Sequence, residues 1–420
     1  VLGPAAYMVD VIELLERVPR TPSGNGKTEI LARRPDLQHL ALSCENAETP
    51  LPYIDVANEI MEVRLAASTW PSWPAAPNPI QVLATAAELK AQPEVLYPTQ
   101  YVAAYNALEA TIHPFNLPFH LYQEEARIYL DHLGVSRADL LLALPLGIVV
   151  NARHLAIERL RIAPRQYDII AAPTLTPQAY WGLASWPATL LAKVVMEKAA
   201  LDFDELRELL ATEYCALPNN IKFSPTGTCD LSTLEVLGVT TMAHQHMLHR
   251  LLRLRLALGC SISDVDRARR AVGTLDATTL NRIAGIHAVS KQLNVPLVTA
   301  LAWYADMDRW GKWEKSLFER VYLDKRVQAP AVAAFQTVFD SVGGTSGVLV
   351  SAVLTGLATA LQLSDDDVRL LTDQPTLRAE AALLTPMLPS GSSVDLPGLS
   401  RVFRVTSFAC LLYTSDAADE

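Results

Sequence analysis

Three short stretches of the sequence contain residue types that could bind a metal ion or a phosphate. The segment HQHMLH contains His244, His246 and His249, and three imidazoles can bind zinc. Successive residues of a helix are turned by about 100°, so His244 and His246 point to different sides, and only His246 and His249 share a face. The spacing therefore predicts ordinary helix residues, with a pH-responsive surface as the alternative.

A second stretch, TPSGNGKTE, ends like a phosphate-binding loop because Gly26, Lys27 and Thr28 supply a glycine, a cation and a hydroxyl group. The full motif needs a glycine five positions before Gly26, where this chain has Thr21. It also needs a preceding strand, whereas the preceding segment has helical spacing. We therefore expect an exposed, flexible loop and no nucleotide site.

The third stretch, SDDDV, brings together Asp365, Asp366 and Asp367, which could act as a general acid and base or bind calcium. These carboxylates fall in the predicted first turn of a helix, where negative charge offsets the helix dipole. Capping accounts for them. The HExxH, GxSxG, EF-hand and dinucleotide signatures are absent from the sequence. The sequence therefore predicts no catalytic residue, no cofactor and no metal site.

The cysteines show no zinc-binding spacing. We expect Cys44, Cys215, Cys229 and Cys260 to be free and mostly buried thiols. A disulfide between Cys215 and Cys229 is the alternative if the protein is extracellular.

Charge and composition limit the partners of the chain. The net charge is −10, half of the residues are hydrophobic and 19% are charged. Large cores are therefore expected, and neither nucleic acid nor anionic lipid is an expected partner. The last eleven residues, CLLYTSDAADE, resemble a translated sequencing adapter, so we expect residues 410–420 to be an unpacked, poorly ordered tail. Because the chain starts at Val1, we expect a fragment of a longer protein.

Helical periodicity dominates the chain, as in residues 7–18, 53–65 and 246–258, and strand alternation is scarce. Many prolines lie between these runs, where they can end or open helices. The apolar run Leu140–Val150 is too short to cross a membrane, and residues 348–361 have the length of an ordinary buried helix. The sequence predicts an all-α fold of stacked helices and helical hairpins, with no β-sheet domain and no membrane span.

A repeated joint links the predicted helices. A Gly or Asn after one helix can take the left-handed conformation, an apolar residue follows, and Ser or Asp caps the next helix. Five copies begin at Gly134, Ala200, Gly259, Asn294 and Gln362. An acidic residue three positions after the cap completes a capping box in four of them. The joints predict that Ser136, Ser261 and Ser364 each precede a helix, with Asp139, Asp264 and Asp367 at its third position.

Several blocks of sequence, in order, resemble one protein family. They are GPAAYMVDVIELL, ARRPDLQHLALSCENAETPLPYIDVANEIME, HPFNLPFH, YLDHLGVSRADLL, DFDELRELL, CDLSTLEVLGV, LHRLLRLRLALGCSISDVD, SLFERVYLDK and LPGLSRVFRVTSFA. Together they are similar to the A component of insecticidal Tc toxin complexes, in the region like the Salmonella virulence-plasmid A protein. The block around residues 33–55 is the most specific, and we interpret it as a joint, with Thr49 and Pro50 opening a helix.

The resemblance implies the role of the chain. It implies a non-catalytic α-helical shell of a secreted or cell-surface-associated toxin that meets the host cell surface. It implies a homopentamer around a translocation channel, and B and C components that bind through regions absent here. Residues 1–165 correspond to the virulence-plasmid A protein-like region, residues 166–409 to continuing helical-hairpin shell, and residues 410–420 to the tail. The alternatives are a helical scaffold that binds a host surface molecule, and an enzyme, because homologues are sometimes labelled neuraminidase-like. A sialidase is a β-propeller, which the helical sequence contradicts.

Overall fold

The fold is built almost entirely from helices. The computed structural model describes residues 3–21, 24–28, 53–66, 98–143, 151–217, 219–225, 230–364, 367 and 393–416. Its helices are α1 (Pro4–Arg17), α2 (Tyr53–Ala66), α3 (Pro98–Ala110), α4 (Leu121–His132), α5 (Arg137–Ala143), α6 (Ala152–Leu160), α7 (Pro164–Ala171), α8 (Pro177–Trp181), α9 (Ala192–Ala199), α10 (Phe203–Ala211), α11 (Glu213–Ala216), α12 (Met242–Leu258), α13 (Ile262–Val272), α14 (Ala277–Gln292), α15 (Leu297–Tyr304), α16 (Leu317–Tyr322), α17 (Ala329–Asp340), α18 (Val350–Leu361) and α19 (Leu396–Asp416), with a 3-10 turn at Val342–Gly344.

The strands are short and pair two by two. They are β1 (Pro19–Thr21) with β2 (Gly24–Asn25), β3 (Lys222–Ser224) with β4 (Glu235–Leu237), and β5 (Val348–Leu349) with β6 (Ser393–Val394), all antiparallel. In the part of the chain that the structure describes, no sheet exceeds two strands. The prediction of an all-α fold is confirmed.

The chain divides into two compact units. Unit 1 comprises Val1–Thr111 and Leu117–Glu125, and unit 2 comprises Ile112–Asn116 and Ala126–Glu420. The predicted division between residues 165 and 166 lies inside unit 2 and stays a prediction.

Unit 1 contains a packed pair of helices, α2 and α3, which bury Val63 and Ala104. The Tyr105 hydroxyl donates a hydrogen bond to the Glu62 carboxylate over 3.0 Å. Burial raises the pKa of the Glu62 carboxyl group, and the tyrosine bond opposes that shift in part.

The described residues of unit 2 form three hydrophobic cores, and two helices each contribute side chains to two of these cores. Helix α12 turns Leu248 and Leu252 into a core formed with α9, α10 and α11. It turns Leu251 and Leu254 into a second core formed with α6, α7, α13, α14 and α15. Helix α15 likewise joins the second core to a third, formed with α16–α19. Helices shared between cores give the stacked arrangement that the sequence predicts.

All five predicted joints contain a left-handed residue. The φ angles are 72° at Gly134, 52° at Ala200, 60° at Gly259, 51° at Asn294 and 57° at Gln362. In four joints the next residue's N–H bonds the carbonyl five positions earlier; an example is Val135 with Leu130, at 3.0 Å. This is the bond that closes a Schellman motif, and it satisfies the end of the preceding helix.

The predicted caps are present. Ser136 and Ser261 stand immediately before α5 and α13, and each hydroxyl accepts from the backbone N–H three positions later at 3.0 Å. Ser364 accepts from the Asp367 N–H at 3.1 Å, while residues 365–366 and 368–392 lie outside the described residues.

The capping box is less general than the sequence predicts. It is complete at Asp202 with Glu205, and Ser364 N–H donates back to Asp367 at 3.2 Å. At α13 the reciprocal bond is absent, and the Asp264 carboxylate accepts from Arg267. At α5 the Asp139 carboxylate accepts from the Ser136 hydroxyl rather than from its N–H. The reciprocal bond is therefore present in two of the four predicted boxes.

A sixth joint connects α6 to α7. Arg161 is left-handed with φ 53°, the Ile162 N–H bonds the Ile157 carbonyl at 3.2 Å, and Pro164 opens the next helix. Each joint recognised in the sequence has Gly or Asn at the left-handed position, or Ser or Asp at the cap position, or both. Here Arg161 is at the left-handed position and Ala163 at the cap position, so the sequence gives no sign of the joint.

Two predictions concern long apolar or unusual segments. Helix α18 buries Val350, Val353 and Leu357, as predicted for residues 348–361. None of the described helices has the length and hydropathy that a bilayer crossing requires.

Helix α19 differs from expectation because it continues to Asp416, into the segment expected to be poorly ordered. No Gly or Pro follows Gly398, so nothing in the sequence stops the helix there.

Candidate functional site

The three histidines divide as the spacing predicts. His246 Nδ1 lies 3.2 Å from His249 Nε2, whereas His244 Nδ1 lies 2.9 Å from the Gly238 carbonyl oxygen. His249 is fully buried and stacks on the Tyr180 ring at a centroid distance of 4.6 Å. Burial, with smaller contributions from Arg253 and His246, holds the pKa of His249 well below its ordinary value. In the described parts of the chain, no group of three or more His, Cys, Asp or Glu residues could hold a metal ion.

The described part of the glycine-rich segment is paired and partly buried, which differs from the expected exposed, flexible loop; residues 22, 23 and 29 lie outside the described residues. Strands β1 and β2 lead into a helical turn at residues 26–28, where Thr28 N–H donates to Asn25 Oδ1 at 2.9 Å. The Lys27 ammonium pairs with the Glu16 carboxylate. A Cβ atom at Gly26 would lie 3.1 Å from Leu15, so packing accounts for this glycine.

Two of the cysteines are buried or half-buried free thiols. Burial raises the pKa of both Cys215 and Cys260 to about 12, so neither is a reactive thiolate at neutral pH. Cys44 and Cys229 lie outside the described residues, and so do residues 33–52 of the block most specific to the family resemblance. Asp365 and Asp366 also lie outside them.

The densest cluster of charged side chains was not predicted. Helix α13 supplies Asp266, Arg267 and Arg270, and the segment after α15 supplies Asp308. Arg267 Nε lies 2.8 Å from Asp308 Oδ2, and Arg270 Nη2 lies 2.7 Å from Asp308 Oδ1. One carboxylate therefore bridges two guanidinium groups. We call Glu213, Asp264, Asp266, Arg267, Arg269, Arg270, Asp308 and Glu314 the arginine network.

Asp266 forms the second bridge of the arginine network. Its side chain is 2% exposed, and its oxygens lie 3.0 Å from Arg269 Nη2 and 3.3 Å from Arg270 Nε. It also accepts from the Glu213 N–H at 2.9 Å, which ties the start of α11 to α13. Arg269 in turn lies 2.8 Å from the Glu213 carboxylate. The network therefore holds α11, α13 and the segment after α15 together.

Carboxylates outweigh burial at the centre of the network. Burial alone would lower the pKa of Arg267. The carboxylates of Asp308, Glu314 and Asp264 together raise the pKa by more than burial lowers it, so the net shift is upward. Such a pair fixes geometry more than it adds stability, because desolvation offsets much of the attraction.

A groove of about 750 Å³ lies beside the network, and we call it the charged groove. Helices α11, α13 and α15, the segment 305–310 and the end of α17 line it. Its walls combine apolar side chains, such as Leu217 and Met307, with ionised ones. Its volume falls in the range of ligand-binding clefts, which is about 300–1,000 Å³.

Only part of the network was visible in the sequence. Asp264 with Arg267, and Asp266 with Arg270, have the three- and four-residue spacings that make neighbours on a helix, so they could have been predicted. Asp308 lies 41 residues after Arg267, and nothing local marks that contact.

No family model, curated protein or solved structure matches this chain. The fold and the groove define a class of protein: an all-α stack of capped helical hairpins, cross-linked by buried ion pairs, with an open groove at one junction.

Proposed function

We propose that this chain is a non-catalytic part of the helical shell of a Tc toxin A component, and that it contributes to a pentamer around a translocation channel. The observation that carries the proposal is the series of left-handed, capped joints that stacks helices on shared cores. Such stacking can be extended hairpin by hairpin, which suits the wall of a large assembly.

The arginine network supports a structural role. Its guanidinium groups and buried carboxylates bond each other, and they link α11, α13 and the segment after α15. Groups used in this way hold elements at fixed positions and have little capacity left for acid–base chemistry. The ordered likeness of the sequence blocks to Tc A components supports the family.

The decisive experiment uses the complete reading frame that contains this chain. The purified full-length protein should sediment at five times its subunit mass and show five-fold rings in negative-stain electron microscopy. A protein that stays at the mass of one subunit over a wide concentration range would contradict the proposal.

A binding scaffold remains a second candidate because the charged groove is open and large enough for a ligand. The two candidates separate experimentally, since groove variants should weaken binding of a partner without changing the number of subunits. For the enzyme alternative, a fluorogenic sialoside is the direct substrate test, and we expect no release of the fluorophore.

A further inference from the structure

The charges that line the charged groove do not cancel. Glu213 is paired with Arg269, and Asp308 with Arg267 and Arg270. Asp306 and Asp340 are exposed and form no ion pair with any residue that the structure describes. The groove therefore has two exposed carboxylates that form no ion pair within the described part of the chain.

The remaining cation of the groove is already compensated. Arg309 Nη1 donates to the carbonyl oxygens of Val338, Phe339 and Ser341 at 3.2, 2.9 and 2.9 Å. These carbonyls form the C-terminal end of α17, which carries partial negative charge. The electrostatic balance of the groove is thus acidic, and it favours a positively charged occupant.

Asp340 lies where a carboxylate is unfavourable for the fold. It is the last residue of α17, whose last turn contains no basic residue, so the helix dipole repels its charge. The Gln336 amide donates to it at 3.0 Å but brings no positive charge. Arg309 places a positive charge at this helix end, on the carbonyls of Phe339 and Ser341, but it forms no ion pair with the described Asp340 carboxylate. That exposed carboxylate can therefore pair with a cationic occupant of the groove.

The same groove offers an apolar contact. Leu217 is 60% exposed, and the buried Met307 forms part of the wall. Because the groove is open to solvent and half polar, it suits an extended or helical segment of a polypeptide better than an enclosed small molecule.

We infer that the charged groove binds a basic amphipathic segment of a partner protein. An apolar side chain of that segment packs against Leu217, and lysine or arginine side chains pair with Asp306 and Asp340. The inference does not rest on the shell function, because it needs only the geometry and charge of one chain.

The test measures fluorescence anisotropy of a labelled Leu/Lys helical peptide, about four turns long, titrated with the full chain. A second peptide has glutamate in place of every lysine and keeps the same leucine face. The variants are Asp306→Asn with Asp340→Asn, and Ala305→Trp, which fills the groove from a half-buried lining position. The control, Glu197→Gln with Asp204→Asn, removes two exposed carboxylates that do not line the groove.

The lysine peptide should bind the unchanged chain and the control with the same Kd, and more weakly as salt is added. The double asparagine variant and Ala305→Trp should each raise the Kd at least about tenfold. The melting temperature of the double asparagine variant should not fall, which separates lost binding from lost folding.

Three outcomes would overturn the inference. They are absence of binding to the unchanged chain, equal binding to the double asparagine variant and the control, and binding of the glutamate peptide as tight as that of the lysine peptide. The last outcome would indicate an acidic partner held near Arg309, or adhesion through leucine alone.

Discussion

Two buried arginines on consecutive helices are stabilised in opposite ways. Arg253 of α12 is fully buried and donates to neutral oxygens: the Ile112 carbonyl, the Phe115 carbonyl at 3.2 Å and Gln166 Oε1 at 2.8 Å. Burial lowers its pKa to about 10. Arg267 of α13 is 4% exposed, and carboxylates raise its pKa.

The difference shows what each arginine does in unit 2. Arg253 holds a non-helical segment, residues 112–116, by donating to the Ile112 and Phe115 carbonyls, and Gln166 Nε2 donates to the Phe115 carbonyl as well. Arg267 connects α13 to the irregular segment after α15, and its partners are the side-chain carboxylates of Asp308, Glu314 and Asp264. Removal of a partner should therefore cost more in the arginine network, where buried guanidinium groups lose part of the negative charge that offsets their desolvation.

The largest effect is expected from Asp308→Ala. The variant leaves two guanidinium groups without the carboxylate that bridges them. Because Asp264, Glu314 and Asp266 still pair with these groups, we expect the lower end of the cost of breaking a buried pair, about 3 kcal/mol. Urea unfolding followed by tryptophan fluorescence measures the change in the free energy of unfolding. Glu197→Ala, which breaks an exposed pair with Lys193, is the control and should cost under about 1 kcal/mol. Equal losses in the two variants would refute the role given to Asp308.

A smaller loss, of about 2 kcal/mol, is expected from Arg253→Met. The acceptors on Ile112, Phe115 and Gln166 lose a donor, but the variant also removes the desolvation cost of a buried charge. The same urea titration measures it, and limited proteolysis should show faster cleavage near residues 112–116. A more stable Arg253→Met protein would contradict this, because it would mean that the desolvation of the buried charge costs more free energy than its hydrogen bonds contribute.

Acid should lower the stability of the fold through His249, which packs beside Arg253. His249 packs near Arg250, Arg253 and His246, and its depressed pKa keeps it neutral in the folded chain. The unfolded chain takes up a proton first as the pH falls below about 6.5, so stability is present at neutral pH and is lost on acidification. The melting temperature should fall between pH 7.5 and pH 5.5, by less than in Asp308→Ala.

The control for the acid effect is His249→Phe, which keeps a ring against Tyr180 and cannot titrate. Its melting temperature should depend less on pH over the same interval. If both proteins respond identically, another group is responsible for the acid sensitivity.

The smallest effects are expected at the joints. Gly259 connects the helix of Arg253 to the helix of Arg267, and a Cβ atom there would meet no other atom within 4 Å. Gly259→Ala should therefore cost only the left-handed backbone penalty, about 1 kcal/mol, and Ala200→Gly should gain a similar amount. Differential scanning calorimetry compares the two. Changes of the same sign would show that backbone conformation does not decide stability at these positions.

Sequence reasoning could predict the local parts of this structure and few of the distant ones. The left-handed residues at Gly134 and Asn294 and the caps at Ser136 and Ser261 depend on neighbours within a few positions, so the pattern of types reveals them. The joint at Arg161 has the same left-handed backbone but lacks the residue types typical of a joint, so the sequence does not reveal it.

The contacts of Arg253 and Asp308 could not be predicted in this way. In the sequence, Arg253 cannot be distinguished from the other arginines of a helix rich in arginine and leucine. Its hydrogen-bond partners belong to segments far away in the chain. Asp308 lies in a segment without helical spacing, where a carboxylate is unremarkable. Their importance comes from burial, which depends on how whole helices pack.

The hydrogen bonds from Arg253 to the segment 112–116 also bear on the order in which contacts form during folding and on the lifetime of the folded state. The Phe115 carbonyl and Arg253 are separated by 138 residues, so their contact closes a long loop and gains little until the helices between them have formed. The joints, which close within a few residues, can form early and set the folding rate. A contact made after the transition state changes mainly the unfolding rate. Arg253 should therefore act on how long the folded chain survives between openings, and the joints on how quickly it forms.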